Sequence, residues 1–346
     1  MVSGVLAALA GPQARWNRKE HGMNVTAFQD RVLIGICTFR RAELADTLAS
    51  LEGLTPCGLP VAIAIADNDG QPSARDLVEG IATRHAMPVT YLHAPQTNIS
   101  IARNALLDHA RATGARFLVY LDDDETVEAD WLMHLVQTLE DTDAGAVLGP
   151  VRAHYQPTAP AWMDHARAHD TLPVFDKNGV ITSGYTCNVL IDLADPAVEH
   201  LRFNPSRGRA GGEDSAFFAD FLAAGGSISF APKAMVHETV PDDRARLAWL
   251  LRRRYRMGQT HASLAAKDSP RKGRIRSAGV AMAKAAACGG LAIIGAARPA
   301  QRNRQLMRAA LHIGAVAYLG GARQIEIYGT AQERLDTDPR SGPKEN

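Results

Sequence analysis

The sequence predicts an α/β fold: an open, Rossmann-like, doubly wound mixed sheet followed by a helical extension at the carboxyl end. Three observations support this. Strand and helix patterns alternate through the first 150 residues, and the strands are unbroken apolar runs of the kind buried on both faces. Polar clusters stand where three of those strands end. In order, the runs are RVLIGICTF, VAIAIAD, PVTYLHA and RFLVYLD, with helices predicted over residues 42–51, from Ser73 and from Ser100 between them. Parallel neighbours need right-handed crossovers, which those helices supply.

Beyond Pro150 the pattern loosens. Pro157, Pro160 and Pro173 punctuate a loop-rich stretch with short apolar runs at 180–182 and 187–191. A helix over 213–224 ends at Gly225-Gly226, a C-terminal cap, and 227–230 and 234–237 read as closing strands. From Arg244 to about Tyr318 the chain reads as helical, with breaks at Gly258, Pro270, Gly289-Gly290 and Pro299.

With 46% hydrophobic and 22% charged residues, the 346-residue chain can bury a full core. Its four cysteines lie far apart with no C-x-x-C pair, which argues against a disulfide framework and a zinc site and fits a reducing compartment. The first residues carry no basic segment ahead of their short apolar run and make a poor signal peptide; Met23 stands just before the first strand. The net charge of +1 conceals an asymmetry. Residues 244–308 hold sixteen lysines and arginines against one acid, so the rest of the chain carries −14. An acidic body suits a metal cation, and a basic tail suits phosphate or acidic lipid. Nucleic acid is not expected, because only Trp249 and Tyr255 interleave the early basic run.

Ligands of an open α/β sheet bind at the carboxyl ends of its strands. The sharpest cluster there is VYLDDDE, a buried strand that runs into four acids. Asp122 and Asp124 form a D-x-D pair of hard oxygen ligands suited to Mg²⁺ or Mn²⁺, with substrate phosphates at other coordination positions. A solvated acidic turn that caps the next helix is the alternative. In NISIARNALLDHA, Arg103 lies in the first turns of a helix, placed for charge-assisted bonds to a diphosphate. Asp67, ending VAIAIAD, can accept bonds from a base or ribose, although Asp-Asn-Asp-Gly is also a common turn. In GGEDSAFFADFLAAGG, Asp214 is a candidate general base and Glu213 its fallback; helix capping is the competing reading. His237 in VHETVPDDR is a candidate metal or phosphate ligand.

This set, with ICTFRR, IADND, ISIARN, LDDDE, GGEDSAFF and VHETVPDDR in that order over residues 31–245, resembles the family-2 glycosyltransferases. It is most similar to the bacterial branch that builds succinoglycan-type and other surface polysaccharides. The resemblance implies a GT-A fold, a nucleotide-sugar donor such as a UDP-sugar, Mn²⁺ or Mg²⁺, inversion at the anomeric carbon, and a glycan or lipid-linked acceptor. It implies that Thr38 and Asp67 take nucleoside-pocket positions, with Phe39, Arg41 and Asn68 beside them. Arg103 becomes the motif arginine, Asp122 and Asp124 the D-x-D, and Asp214 the base; Asp123 joins the donor contacts and leaves two overlapping choices for the metal. No Q-x-x-R-W signature of processive enzymes is present, which favours addition of one hexose.

The implied organisation is an extension over 1–29, a catalytic domain over 30–243 and a basic helical region over 244–346. Within the catalytic domain, 30–150 binds the donor and 151–243 faces the acceptor. A nucleotidyltransferase would use a similar sheet but needs a Gly-rich phosphate loop, which ICTFRRAEL lacks. A non-catalytic nucleotide-sugar-binding protein would be indifferent to Asp214. For the basic region, Leu247, Leu250, Leu251 and Tyr255 fall on one helical face flanked by Arg252, Arg253 and Arg256. That pattern predicts peripheral attachment to an anionic membrane surface, at the cytoplasmic face of the plasma membrane. The apolar stretch AAACGGLAIIGAA, at 13 residues, falls short of the ~20 needed to span. A helical cap on the catalytic domain or a homodimer contact is the alternative.

Overall fold

The computed structural model describes residues 28–208, 211–267 and 270–325. The first half follows the predicted alternation: β1 (Gln29–Thr38), α1 (Leu44–Leu51), β2 (Val61–Asp67), α2 (Arg75–Ala82), β3 (Val89–His93), α3 (Ile99–Ala112) and β4 (Ala115–Asp122). Next come β5 (Glu125–Val127), α4 (Trp131–Thr142), β6 (Ala146–Leu148), β7 (Val151–Tyr155), α5 (Trp162–Ala166) and β8 (Asn188–Asp192). The chain continues through α6 (Glu213–Ala223), β9 (Ile228–Phe230), β10 (Val236–Val240), α7 (Leu247–Ala265), α8 (Arg271–Ile294) and α9 (Pro299–Leu319). Residues 1–27 lie outside the described part; Gln29, assigned from sequence to the extension, already opens β1.

The main sheet has seven strands in the order β3-β2-β1-β4-β8-β6-β9. Strands β1 to β4 pair in parallel, while β8 runs antiparallel to both β4 and β6, which makes the sheet mixed. Period-two alternation in β1 sends Val32, Ile34 and Ile36 into one core and Leu33 into the other, so both faces are covered. Gly35 allows α3 to lie close over β1: a Cβ there would stand 3.2 Å from the Leu106 side chain. The run 180–182, read as strand-like, supplies only an isolated bridge, Phe175 to Ile181.

A second sheet, β5-β10-β7, positions the site. β5 leaves the acidic turn directly, and its antiparallel register with β10 sets Glu125 opposite Glu238 and Thr126 opposite His237.

The carboxyl-terminal helices depart from the sequence reading in three ways. Gly258 does not break α7. A Cβ on it would meet the Leu311 carbonyl oxygen at 1.8 Å, and one on Gly314 would meet the Tyr255 carbonyl oxygen at 1.9 Å, so paired glycines let α7 and α9 touch backbone to backbone. Gly289-Gly290 also leave α8 unbroken, whereas Pro270 caps α8 and Pro299 opens α9. The first ten residues of the 13-residue apolar stretch therefore belong to a 24-residue helix, which is long and apolar enough to cross a membrane by length and composition. Finally, the apolar face of α7 is not free for lipid. Leu250 is fully buried against Ala153, Met163 and Val240, with Trp249 and Leu251 packed alongside, so that face docks α7 on the catalytic body.

Candidate active site

β4 carries Asp122 to the carboxyl edge of the sheet, and Asp123 and Asp124 form the turn into β5. The three carboxylates have different surroundings. Asp123 points back into the fold: its Oδ2 accepts from the Thr38 hydroxyl at 2.7 Å, and its carbonyl accepts from the Thr47 hydroxyl at 3.0 Å. Arg41 stands 4.0 Å from Asp123 and 3.4 Å from Asp124. Asp124 also faces Arg244 at 3.8 Å. Asp122 forms the floor of a recess. Its side chain keeps 45% of its surface open, yet protein surrounds it densely. The triple-Asp ambiguity is thus narrowed by geometry, with Asp123 tied to β1 and α1 while Asp122 and Asp124 remain toward the recess.

Too little positive charge serves this cluster. Burial, opposed by Arg103 and reinforced by Asp124, raises the Asp122 carboxyl to about 6. Burial likewise raises Asp123 to about 7 against the Thr38 hydrogen bond, and Glu238 to about 7 with help from Asp124. Glu125, which accepts from the Asp122 amide at 3.1 Å, is pushed well above the carboxylate range by burial and by Asp122.

The opposite wall is α3 and α6. Asn98 caps α3 by accepting from the Ser100 amide at 3.1 Å, and its own amide donates to the Pro205 carbonyl at 2.9 Å. Arg103, one turn on, forms a buried ion pair with Glu213, approaches Asp122 at 4.0 Å and lies over the Phe203 ring. It is 8% exposed and supplies positive charge beside Asp122. Gly211 and Gly212, at φ +77° and +84°, turn the chain into α6. Thr260 of α7 packs so near that a Cβ on Gly212 would stand 2.2 Å from its methyl. Glu213 is buried and shifted upward by burial, whereas Asp214 is half-buried and accepts from the Ser215 amide at 2.6 Å. Asp214 lies near enough to Asp122 for its charge to help raise the Asp122 carboxyl.

Two of the expected nucleoside-pocket residues already have hydrogen-bond partners within the fold. The Asp67 carboxylate is fully buried and already accepts from the Asp69 amide at 3.1 Å, the Ala74 amide at 2.9 Å and the Tyr91 hydroxyl at 2.8 Å. It shapes the turn after β2. Thr38 is equally committed to Asp123. Asn68 accepts from the Asn98 amide at 2.9 Å, joining the β2 turn to α3. Phe39 stays at the rim, part-exposed, beneath the Arg40 guanidinium. His237, the candidate metal or phosphate ligand, has side-chain partners of its own. Its ring meets His154 at 2.8 Å and Glu128 at 3.1 Å, on the side of β10 opposite Glu238. Strand alternation therefore sends Glu238 toward the carboxylates, with Arg244 at 3.6 Å. Glu238 and Arg244 were within the quoted VHETVPDDR, but only the β5–β10 register distinguishes one face from the other. Among the described residues no group of three His, Cys, Asp or Glu side chains is poised to hold a metal alone.

A mixed GT-A sheet with carboxylates at the end of β4 and a second acidic pair opening α6 defines a glycosyltransferase, and the chain belongs to glycosyltransferase family 2. The profile described as glycosyl transferase family 2 matches residues 33–193. The chain is similar to the succinoglycan biosynthesis protein ExoM of Rhizobium meliloti (strain 1021), with 48% identity over 300 residues, covering 86% of this chain and 96% of that protein. In fold it is similar to the mannosyltransferase PcManGT from Pyrobaculum calidifontis, solved in complex with GDP-Man and Mn²⁺. The TM-score is 0.57 at 20% identity, over 87% of this chain and 91% of that one.

Proposed function

We propose that this glycosyltransferase moves one hexose, with inversion, from a nucleotide-diphosphate donor such as a UDP-sugar to a glycan or lipid-linked acceptor in surface polysaccharide synthesis. The 48% identity to ExoM supports the polysaccharide setting. The reading rests chiefly on the partly exposed Asp122 carboxylate, with the half-buried Asp214 near it.

A divalent cation fits this recess on the structure's own terms. Burial and mutual repulsion drive Asp122, Asp123 and Glu238 toward protonation, and a cation supplies the missing charge. Mg²⁺ or Mn²⁺ commonly takes one or two carboxylates and shares its remaining coordination with donor phosphates. Asp122 and Asp124 would hold it, and when bound it neutralises charge on the departing diphosphate. Thr38 and Arg41 fix the turn that presents those two carboxylates.

Asp214 is the base. The acceptor hydroxyl gives its proton to the Asp214 carboxylate while its oxygen bonds to the anomeric carbon; the bond to the donor phosphate breaks on the opposite face, and nucleoside diphosphate leaves. One carboxylate suffices for such a displacement, in contrast to the pair used by hydrolases. A screen of nucleotide sugars scored by nucleoside diphosphate release, with acceptor and with Mn²⁺, Mg²⁺ or EDTA, tests the proposal. Release with one donor, dependent on metal and acceptor, is the expected result. A product that retains the donor's anomeric configuration would overturn the single displacement.

The homology to ExoM and the basic carboxyl-terminal region support a cytoplasmic, membrane-associated location.

A further inference from the structure

We infer that α8 is the membrane-contacting element, lying in the plane of an anionic bilayer surface with the catalytic body above it. This rests on the membrane-associated reading and departs from the sequence pattern, which pointed to α7.

α8 buries a single seam: Ala281, Cys288 and Ala292 are its buried residues, and Ala281 shares a cluster with Ala315 near the far end of α9. Only 17% of its apolar window is buried, although that window has a mean hydropathy of 1.6. Ile275, Val280, Met282, Leu291, Ile293 and Ile294 are all exposed. On a helical wheel most of these fall away from the buried seam, and from Gly279 to Ile294 that side carries only apolar residues and glycine. Both faces of α8 are thus apolar over its second half, but among the described residues only the seam face packs against protein, chiefly α9. Scattered exposed apolar residues need no explanation, whereas a contiguous apolar face from Gly279 to Ile294 marks an interaction surface.

Charge selects the occupant. From residue 270 to 325 the sequence has ten lysines and arginines and no acid. Arg271, Lys272 and Arg276 precede the apolar stretch, and Arg298 and Arg304 follow it. A second copy of this chain would bring like charge to like charge, while acidic headgroups complement both ends. Packing selects the orientation. The α7–α9 glycine contact fixes α9 to α7, and Leu250 fixes α7 to the catalytic body. If α8 crossed the bilayer, the antiparallel α9 would enter with Arg302, Arg304 and Arg308, each costly in hydrocarbon. Lying flat, α8 buries its apolar half while those arginines stay at the headgroups.

The full-length protein is sedimented with vesicles of neutral lipid, or of neutral lipid mixed with phosphatidylglycerol, beside the double variant Ile293→Glu/Ile294→Glu. Donor hydrolysis is followed in parallel. The expected result is binding to anionic vesicles only, weakened at least about tenfold in the variant, with donor hydrolysis unchanged. Equal binding by the variant would overturn the role of α8 while leaving membrane association standing. Failure of the wild-type protein to bind any vesicle would overturn both. Depth is read independently by placing tryptophan at Ile275, Met282 or Ile294 and quenching with brominated lipids. Shallow, similar depths at all three support the flat orientation, and a deep Met282 between shallow ends would overturn it. Conversion of a dimer to a monomer by the variant, without an effect on lipid binding, would assign the face to a second copy and reject the proposal.

Discussion

Arg103 of α3 and Glu213 of α6 form a buried ion pair that joins the two walls of the recess, with Asp122 4.0 Å from the same guanidinium. Both partners are nearly inaccessible, and one Glu213 oxygen has no hydrogen-bond partner. Removing one charge from such a pair strands the other. We expect Glu213→Gln to lower stability by about 3 kcal/mol and Arg103→Met by a similar amount, with the double variant recovering much of the loss. Urea unfolding of all four proteins measures this; strict additivity would mean that the pair is not coupled.

Asp122→Asn and Asp124→Asn are each expected to weaken Mn²⁺ binding in the presence of nucleoside diphosphate and to abolish turnover. Asp123→Asn keeps an oxygen for Thr38 and is expected to retain metal affinity. Calorimetric titration with Mn²⁺ ranks the three, and an order with Asp123 most damaging would move the ligand role to Asp123.

For Asp214→Asn, the amide can still accept from the Ser215 amide, so folding and donor KM should change little. Turnover should fall by about 10²- to 10⁴-fold, the usual contribution of a general base. Normal turnover by this variant, together with an inactive but folded Glu213→Gln, would transfer the role to Glu213.

Gly258→Ala and Gly314→Ala each push a methyl into a facing carbonyl, so α7 and α9 must separate. A cost of about 1–3 kcal/mol is expected, as for other overpacked sites. Thermal unfolding and earlier proteolytic cleavage after Arg244 would reveal it, and unchanged melting would show that the helices tolerate a wider separation.

His169 is buried, stacked on Trp249 and hydrogen-bonded to the Tyr155 hydroxyl, and burial lowers its pKa to about 4. The unfolded chain binds this proton near pH 6.5 but the folded chain does so only near 4, so stability is full above pH 6.5 and declines as pH falls toward 4. The loss is expected to reach about 3 kcal/mol. His169→Gln should flatten this part of the stability profile, and an unchanged slope would assign the acid sensitivity to other groups.

The sequence by itself determined the order of the first four strands and three crossover helices, the edge on which the ligand site forms, and the acids that meet there. Those features are local: apolar periodicity and chain polarity suffice to place Asp122 at the end of β4 and Glu213-Asp214 at the start of α6. The tertiary structure decided which neighbour of each pair turns inward. Asp67 and Thr38 satisfy protein donors and acceptors, Asp123 is tied to Thr38, and Glu238 replaces His237 at the recess, because hydrogen-bond partners and strand register are set by distant segments. It decided the carboxyl-terminal region as well. A glycine in a helical pattern reads as a break until a second helix is seen to need its missing side chain, and an apolar helical face reads as membrane-bound until another surface covers it. α7 found such a surface, whereas the outer face of α8 meets none among the described residues.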